Sequence, residues 1–299
     1  MLIEKISYGG WPNCYRLTDG TLELIITSDI GPRVIRCGFI GGQNFFREFE
    51  DQLGHSGEPD WQIRGGHRLW IGPEDIRYTY SLDNSPVEIT LGEGRLTATQ
   101  PVEPETGLQK EMELALVDGG VRVTHRVTNR NRLAVEFAVW GPSVMAQGGV
   151  GITGFPPRGT HPEMLAPTNP LVMWAYTDLS DPRWIFMKKY LALRQDPQAA
   201  APQKIGLYNP HTFGAYLLNG ELFLKQYKAD PTRVYPEFHC SFQTFTNRDF
   251  LELETFGPLC KVQPDETVSM VEHWTIHRGI DIPAWTDDAV DAVLLPLLK

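Results

Sequence analysis

Apolar residues recur at every second position along much of this chain. That is the pleat of a β-strand, and it differs from the 3.6-residue spacing of an amphipathic helix. In TLELIITSD, Leu22, Leu24 and Ile26 alternate with Glu23, Ile25 and Thr27. In GLQKEMELALVDGGVRVTHRVTN, Met112, Leu114 and Leu116 share one face, and Glu111 and Glu113 share the other. Asp118-Gly119-Gly120 supplies the positive φ angles of a hairpin turn, and Val121, Val123 and Val127 continue the apolar face beyond it. His125 lies on that face, which predicts a hydrogen-bonded core histidine. A second hairpin is predicted around Asn219-Gly220 in AYLLNGELFLKQY. Residues 133–140 (LAVEFAVW) are apolar on nearly both faces, the mark of a central strand covered on each side.

Helical signals are sparse. Thr286 is placed to cap a short helix through Asp287–Val290 that ends before Pro296. Ser180 or Asp181 is placed to cap a helical turn at Pro182, followed by a strand over 189–193. The Pro/Gly-rich stretch 148–170 reads as one long loop crossing a face. No linker or repeat divides the chain, so the pattern predicts an all-β protein: one large antiparallel domain over residues 1–299, with few short helices.

Composition narrows the functions. The chain of 299 residues carries a formal charge of −10, which disfavours a sequence-independent grip on nucleic acid or acidic lipid. Cys14, Cys37, Cys240 and Cys260 form no CxxC pair and are expected to stay reduced. The opening MLIEKISYGGW lacks a charged-then-apolar leader, and no run approaches 18 apolar residues, so a cytoplasmic location and no membrane partner are expected. His273 and His277 stand four apart, but in a strand-like segment without HExxH order, and HxH is absent, so no metal site is expected. GxGxxG, GxxxxGK[ST] and GxSxG are absent, and no cofactor is expected.

Two stretches hold the chemistry. In HCSFQTFTNRDFLELETFGP, Leu251 and Leu253 face one way, and Phe250, Glu252, Glu254 and Phe256 face the other. A symmetric turn centred between Asn247 and Arg248 would oppose Gln243 to Glu252 and Ser241 to Glu254, with His239 diagonal to Glu254. That face is either a solvated sheet surface or a concave site; aromatics beside the carboxylates favour the site, because sugars stack on rings and bond to carboxylates. The second stretch, IRGGHRLWIGPED, holds Arg64, His67, Arg68, Trp70 and Glu74 around a Gly-Gly turn. Lys225 shares its strand face with Phe223 and Tyr227, and it either snorkels to water or reaches the polar site.

Several of these segments resemble the galactose-mutarotase-like (aldose 1-epimerase-like) superfamily, and the resemblance covers most of the chain. LELIITSDIGPRVIRCGFIGGQNFF is similar to its first strands, Arg64-Gly65-Gly66 to the RGG of its hexose-phosphate epimerase branch, FLELETFGPL to the strand bearing its catalytic glutamate, and PDETVSMVEHWTIH to its closing strands. The resemblance implies a β-supersandwich, a small-molecule carbohydrate as partner, and Glu254 as catalytic base. The family's two histidines are missing: no HGF-type segment lies between Tyr78 and Glu88, and Trp140-Gly141 stands where Asn-His is usual. His67 or His239 is then the expected acid. Arg64, Arg68, Glu74, Lys225, Gln243 and Glu252 are expected to orient hydroxyls or an acidic group, and Trp70 or Trp140 to stack on the sugar. A binding protein without turnover, or a lyase for acidic glycans suited to Arg64, His67 and Arg68, are the alternatives on this scaffold.

Overall fold

The computed structural model describes residues 2–117 and 119–298. The strands are β1 (Leu2–Tyr8), β2 (Trp11–Thr18), β3 (Leu22–Thr27), β4 (Arg33–Phe39), β5 (Gly66–Arg68), β6 (Trp70–Gly72), β7 (Glu88–Gly92), β8 (Arg95–Thr99), β9 (Leu108–Val117), β10 (Gly120–Asn129) and β11 (Val135–Met145). They continue as β12 (Val150–Gly154), β13 (Leu171–Met173), β14 (Trp184–Phe186), β15 (Tyr190–Arg194), β16 (Gln203–Leu207), β17 (Phe213–Leu218), β18 (Glu221–Tyr227), β19 (Phe242–Thr246), β20 (Leu251–Phe256), β21 (Cys260–Val262) and β22 (Thr267–Arg278). Two short helices complete the described residues, the single turn α1 (Pro236–His239) and α2 (Asp287–Leu294).

The strands form two antiparallel sheets. The first runs β1-β2-β3-β4-β5-β11-β20-β19-β16-β13, with β6 and β21 also pairing with β11. The second runs β14-β15-β12-β17-β18-β22-β10-β9-β8-β7. The alternating apolar positions meet between them: Leu24 and Ile26 of β3, Leu114 of β9, Val123 of β10, Phe223 of β18, Leu253 of β20 and Trp274 of β22 are all buried in one core. Each such side chain stabilises the fold by about 1.5–3 kcal/mol relative to exposure. Phe46, Phe223 and Trp274 meet edge to face at 5.6 to 5.7 Å. Helix α2 lays Val290 and Leu294 against Ile152, Ala215, Leu222 and Leu224 of the second sheet. Thr286 caps that helix through the N–H of Ala289, as its position in the sequence predicts.

The all-β reading therefore holds, and so do most local expectations. The doubly covered strand expected over 133–140 is met only from Phe137, where β11 is buried on both faces through Met145; Leu133 precedes the strand and is exposed. The Asn219-Gly220 turn has φ of 49° and 76° and joins β17 to β18. At the other hairpin Gly120 pairs with Val117, while Asp118 lies outside the described residues. All four cysteines are free thiols.

Three expectations change. The stretch 148–170 is not one loop, because Val150–Gly154 is an inner strand between β15 and β17. No helix opens at Pro182; Asp181 closes a tight turn instead, its carboxylate accepting the N–H of Arg183, and β14 follows. The β19–β20 pairing is two positions from the symmetric one, with Gln243 opposite Glu254 and Phe245 opposite Glu252. The cause is a four-residue turn, 247–250, in which the Asn247 side chain accepts the N–H groups of Asp249 and Phe250.

The RGG turn is built on close backbone contact. Gly65 has φ of 86°, and a Cβ there would stand 1.8 Å from the carbonyl oxygen of Arg47. Gly119 also has positive φ, 78°, but nothing lies within 4 Å of its Cβ position. Gly65→Ala should therefore cost more than about 3 kcal/mol, against about 1 kcal/mol for Gly119→Ala, where only the dihedral is strained. Urea unfolding of the two variants checks this ordering, and equal losses would refute the close-approach role of Gly65.

Candidate functional site

Period-two alternation splits the IRGGHRLWIGPED stretch between two faces. In β5, Arg68 points to the outer face of the first sheet, where its guanidinium pairs with Glu252 at 2.9 Å. His67, one residue earlier, points between the sheets. Strand β20 divides in the same way: Leu253 and Thr255 face the second sheet, while Glu252, Glu254 and Phe256 face outward.

The outer face carries a dense polar and aromatic cluster. The Lys204 ammonium lies 3.2 Å from Glu254 and 3.5 Å from Glu74, and 5.3 Å and 4.8 Å from the ring centres of Trp140 and Trp174. Tyr80 donates its hydroxyl to Glu74 at 2.5 Å. The side-chain amide of Gln243 donates to Glu237, and Glu237 accepts the backbone N–H of Glu74. Trp70 packs at 5.2 Å from both Trp61 and Trp140, and Trp140 stacks on Phe256 at 4.8 Å. The Arg68 guanidinium lies 3.9 Å over Trp70.

Burial sets the electrostatics of this cluster. Glu254 is fully buried. Its pKa is pushed up to about 8, first by that burial and then by Glu252 and Glu74, against the pull of Lys204. Burial alone would lower the Lys204 pKa, but Glu254, Glu74, Glu237 and Glu252 together raise it above the usual lysine value. Among the described residues, eleven buried side-chain N or O atoms lack a hydrogen-bond partner in the protein, and seven belong here: Nε1 of Trp61, Trp70 and Trp140, Nε and Nη1 of Arg68, and Oε1 of Gln243 and Glu254. Native proteins rarely leave buried polar atoms unpaired, so this concentration marks the face.

A second polar cluster lies between the sheets. The Lys225 ammonium is completely buried and bonds to Glu272 (3.1 Å), the carbonyls of Gly141 (2.9 Å) and Leu253 (3.3 Å), and the hydroxyl of Ser143 (3.1 Å). Glu272 also accepts from Thr255 and from Trp274 Nε1. The tautomers follow from the one partner that only accepts. His125 Nδ1 lies 3.2 Å from the carbonyl of Met270, so it carries the proton and its Nε2 accepts from His67 Nε2, 2.7 Å away. His67 Nδ1 then accepts the Ser143 hydroxyl at 2.8 Å.

The chain closes with both imidazoles neutral. For His67 burial is the main cause of a strongly lowered pKa, with Lys225 next; for His125 burial outweighs the opposing pull of Glu272. Burial alone would raise Glu272, but the Lys225 ammonium, with Thr255 and Trp274 donating to the carboxylate, outweighs it and holds the group below its usual range. The ligand-type atoms of His67, His125 and Glu272 all lie within 4.8 Å of one another. The bonds just described already engage these groups.

The expected residues thus fall into three groups. Glu254, Glu252, Gln243, Arg68, Glu74, Trp70 and Trp140 come together on the outer face. His67 and Lys225 belong to the core; Lys225 neither snorkels nor reaches the outer face, because its carbonyl and carboxylate partners hold it between the sheets. Arg64 is also buried, its guanidinium in a two-pronged pair with Glu58. The basic residues Arg64, His67 and Arg68 therefore do not present one shared basic face: Arg64 is paired with Glu58, Arg68 with Glu252, and His67 points between the sheets. His239 is not in the strand: left-handed φ values at Glu237, Phe238 and His239 turn the chain, and its ring stacks on Tyr208 at 5.1 Å. No hydrogen bond joins it to Glu254 among the described contacts.

Sequence reasoning missed Lys204, Trp61, Tyr80, Trp174 and Glu237. Lys204 alternates with Ile205 and Leu207 in QKIGL, the weak signal of a short strand. Only the β16–β19 pairing, which sets it opposite Phe245 and diagonal to Gln243, brings it to Glu254. A cavity of about 720 Å³ lies elsewhere, lined by Tyr227, Met270, His273 and Trp274 among others, and it includes none of the outer-face carboxylates.

Two facing antiparallel sheets of this order, with the glutamate-bearing strand central in the first, form the galactose-mutarotase-like fold. Solved structures show the likeness. The Slr1438 protein from Synechocystis sp. PCC 6803 aligns with a TM-score of 0.63 at 13% identity, over 92% of this chain and 99% of its own. A galactose mutarotase-like protein from Lactobacillus casei ATCC 334 aligns with a TM-score of 0.59 at 11% identity, over 89% and 100%. A galactose mutarotase related enzyme from Lactobacillus acidophilus aligns with a TM-score of 0.56 at 9% identity, over 90% and 98%. No family model and no curated protein sequence matches the chain.

The buried histidines make stability depend on pH. Their folded pKa values lie below the ordinary value of 6.5, so below pH 6.5 the unfolded chain binds more protons than the folded one. Stability is then fully present above about pH 6.5 and lost as pH falls, by up to about 1.4 kcal/mol per pH unit for each histidine. Urea unfolding between pH 7.5 and pH 5, which spans that onset, measures the slope. A flat profile would contradict the neutral-imidazole chain.

Proposed function

We propose that the outer face of the first sheet binds a carbohydrate and interconverts its anomers, as an aldose 1-epimerase does. The seven unpartnered polar atoms carry this reading. They include donors on Trp61, Trp70, Trp140 and Arg68 and acceptors on Gln243 and Glu254, set among tryptophan rings. A sugar offers hydroxyls that both donate and accept, and C–H faces that stack on rings. The neighbouring structures named as mutarotase-like support the same class of chemistry.

Glu254 is the base and Lys204 the acid. Glu254 Oε1 takes the proton from the anomeric hydroxyl as the electron pair of that O–H forms the carbonyl at C1. The bond from C1 to the ring oxygen breaks, and its electron pair leaves on the ring oxygen, which takes a proton from the Lys204 ammonium. Rotation about C1–C2 and the reverse steps close the ring on the other face. The pairing at 3.2 Å couples the two transfers. Once Glu254 is protonated, Lys204 loses its nearest anion and becomes a stronger acid. Arg68, Gln243 and the tryptophan N–H groups hold the remaining hydroxyls. Because His67 lies in the core, the second reading is a sugar-binding protein without turnover.

Exchange NMR on several aldoses separates the two. Glu254→Gln and Lys204→Met should each lower the interconversion rate by about 10²–10⁴-fold while sugar binding persists. The rate should rise with pH through the raised Glu254 pKa, near 8, because only the ionised carboxylate accepts a proton. Binding without acceleration by the unaltered protein would leave the non-catalytic reading, and no binding of any sugar would remove both.

A further inference from the structure

The charge balance of this face points beyond the general class of ligand. Resting on the carbohydrate reading above, we infer that the site discriminates against anionic sugars and favours a sugar bearing a protonated amine. Four carboxylates meet here, Glu74, Glu237, Glu252 and Glu254, and all four act on the Lys204 ammonium. Against them stand two cations, each already neutralised: Arg68 by Glu252 at 2.9 Å, and Lys204 by Glu254 at 3.2 Å and Glu74 at 3.5 Å.

Glu237 decides the sign. Its oxygens accept only from neutral groups, the backbone N–H of Glu74 and the side-chain amide of Gln243, and among the described residues no lysine or arginine pairs with it. The face therefore keeps a negative excess even when Glu254 holds a proton. The aromatic rings reinforce that sign, because the π-faces of Trp61, Trp70 and Tyr80 attract cations. Arg68 already lies over two of them, at 3.9 Å from Trp70 and 5.6 Å from Trp61. The unpartnered Nε and Nη1 of Arg68 suit neutral hydroxyl oxygens, since the charge of that guanidinium is spent on Glu252. A carboxylate or phosphate on the sugar would meet the carboxylates without a free cation to receive it, and an ammonium would meet Glu237.

The test compares sugars of one shape and different charge on the full chain. Binding of glucose, glucosamine, N-acetylglucosamine, glucuronate and glucose 6-phosphate is measured by tryptophan fluorescence and ligand-observed NMR at low and high salt, with the galacto series run in parallel. Glucosamine should bind about tenfold more tightly than glucose at low salt, and N-acetylation should abolish the gain. Glucuronate and the phosphate should bind at least about tenfold more weakly than glucose. Both gaps should shrink with salt, and the amine's gain should shrink in Glu237→Gln. An anionic sugar that binds as tightly as its neutral parent, or an amine with no advantage over it, overturns the inference and leaves the carbohydrate reading standing. If neither neutral nor charged sugars bind, the carbohydrate reading itself falls.

Discussion

The Lys225–Glu272 pair joins the two sheets directly behind the candidate site. Lys225 belongs to β18 of the second sheet, yet its ammonium bonds to the carbonyls of Gly141 and Leu253 in the first. Glu272 belongs to β22 of the second sheet and accepts from Thr255 of β20. Leu253 and Thr255 flank Glu254, so the strand on both sides of the proposed base is tied to the opposite sheet, through a backbone carbonyl on one side and a side-chain hydroxyl on the other. Ser143, His67 and His125 extend that tie across β11, β5 and β10. A general base works only when it is held within hydrogen-bond reach of its proton, and here the positioning comes from the far side of the sheet.

The two polar clusters use opposite electrostatics on either side of one strand layer. In the core, charges balance: one ammonium meets one carboxylate, and the histidines stay neutral because burial makes a further charge too costly. On the outer face, charges do not balance, and several donors and acceptors lack partners. A structural cluster minimises unmet demand, whereas the proposed binding face retains it. That contrast separates the two more clearly than residue type does, because both hold a lysine beside a glutamate.

Much of this was legible in the chain. Alternation in FLELETF assigned Leu253 to the core and Glu252 and Glu254 to the outer face. The two-position error in pairing did no harm to that assignment, because a shift of two preserves which face each residue occupies. The turn that caused the error depends on the Asn247 side chain, whose preference for a four-residue loop leaves no mark on the hydrophobic pattern. His239 was misplaced for a related reason: the strand pattern runs back to Phe238, but three left-handed residues break the strand first. Lys225 was hardest to read. A lysine between Phe223 and Tyr227 reads as a side chain seeking water, and its actual partners come from β11, β20 and β22, far away in sequence. Lys204 escaped notice because a single lysine in a five-residue strand has no local signature of a site.

Stability alone does not account for the core pair, since an apolar replacement of similar volume often serves a fold as well as a buried salt bridge. Its geometry suggests register instead. A one-residue slip of β20 against its neighbours would turn Glu254 inward and Leu253 outward. It would also remove the Leu253 carbonyl and the Thr255 hydroxyl from Lys225 and Glu272, leaving both charges short of partners in a dry interior. That penalty falls on the slipped arrangement and spares the native one. Hydrophobic burial alone discriminates less sharply here, because both faces of β20 are covered and Phe256 packs well on the outer side against Trp140. The buried charges therefore add to the hydrophobic alternation in favouring the arrangement that keeps the carboxylates of β20 on the outer face.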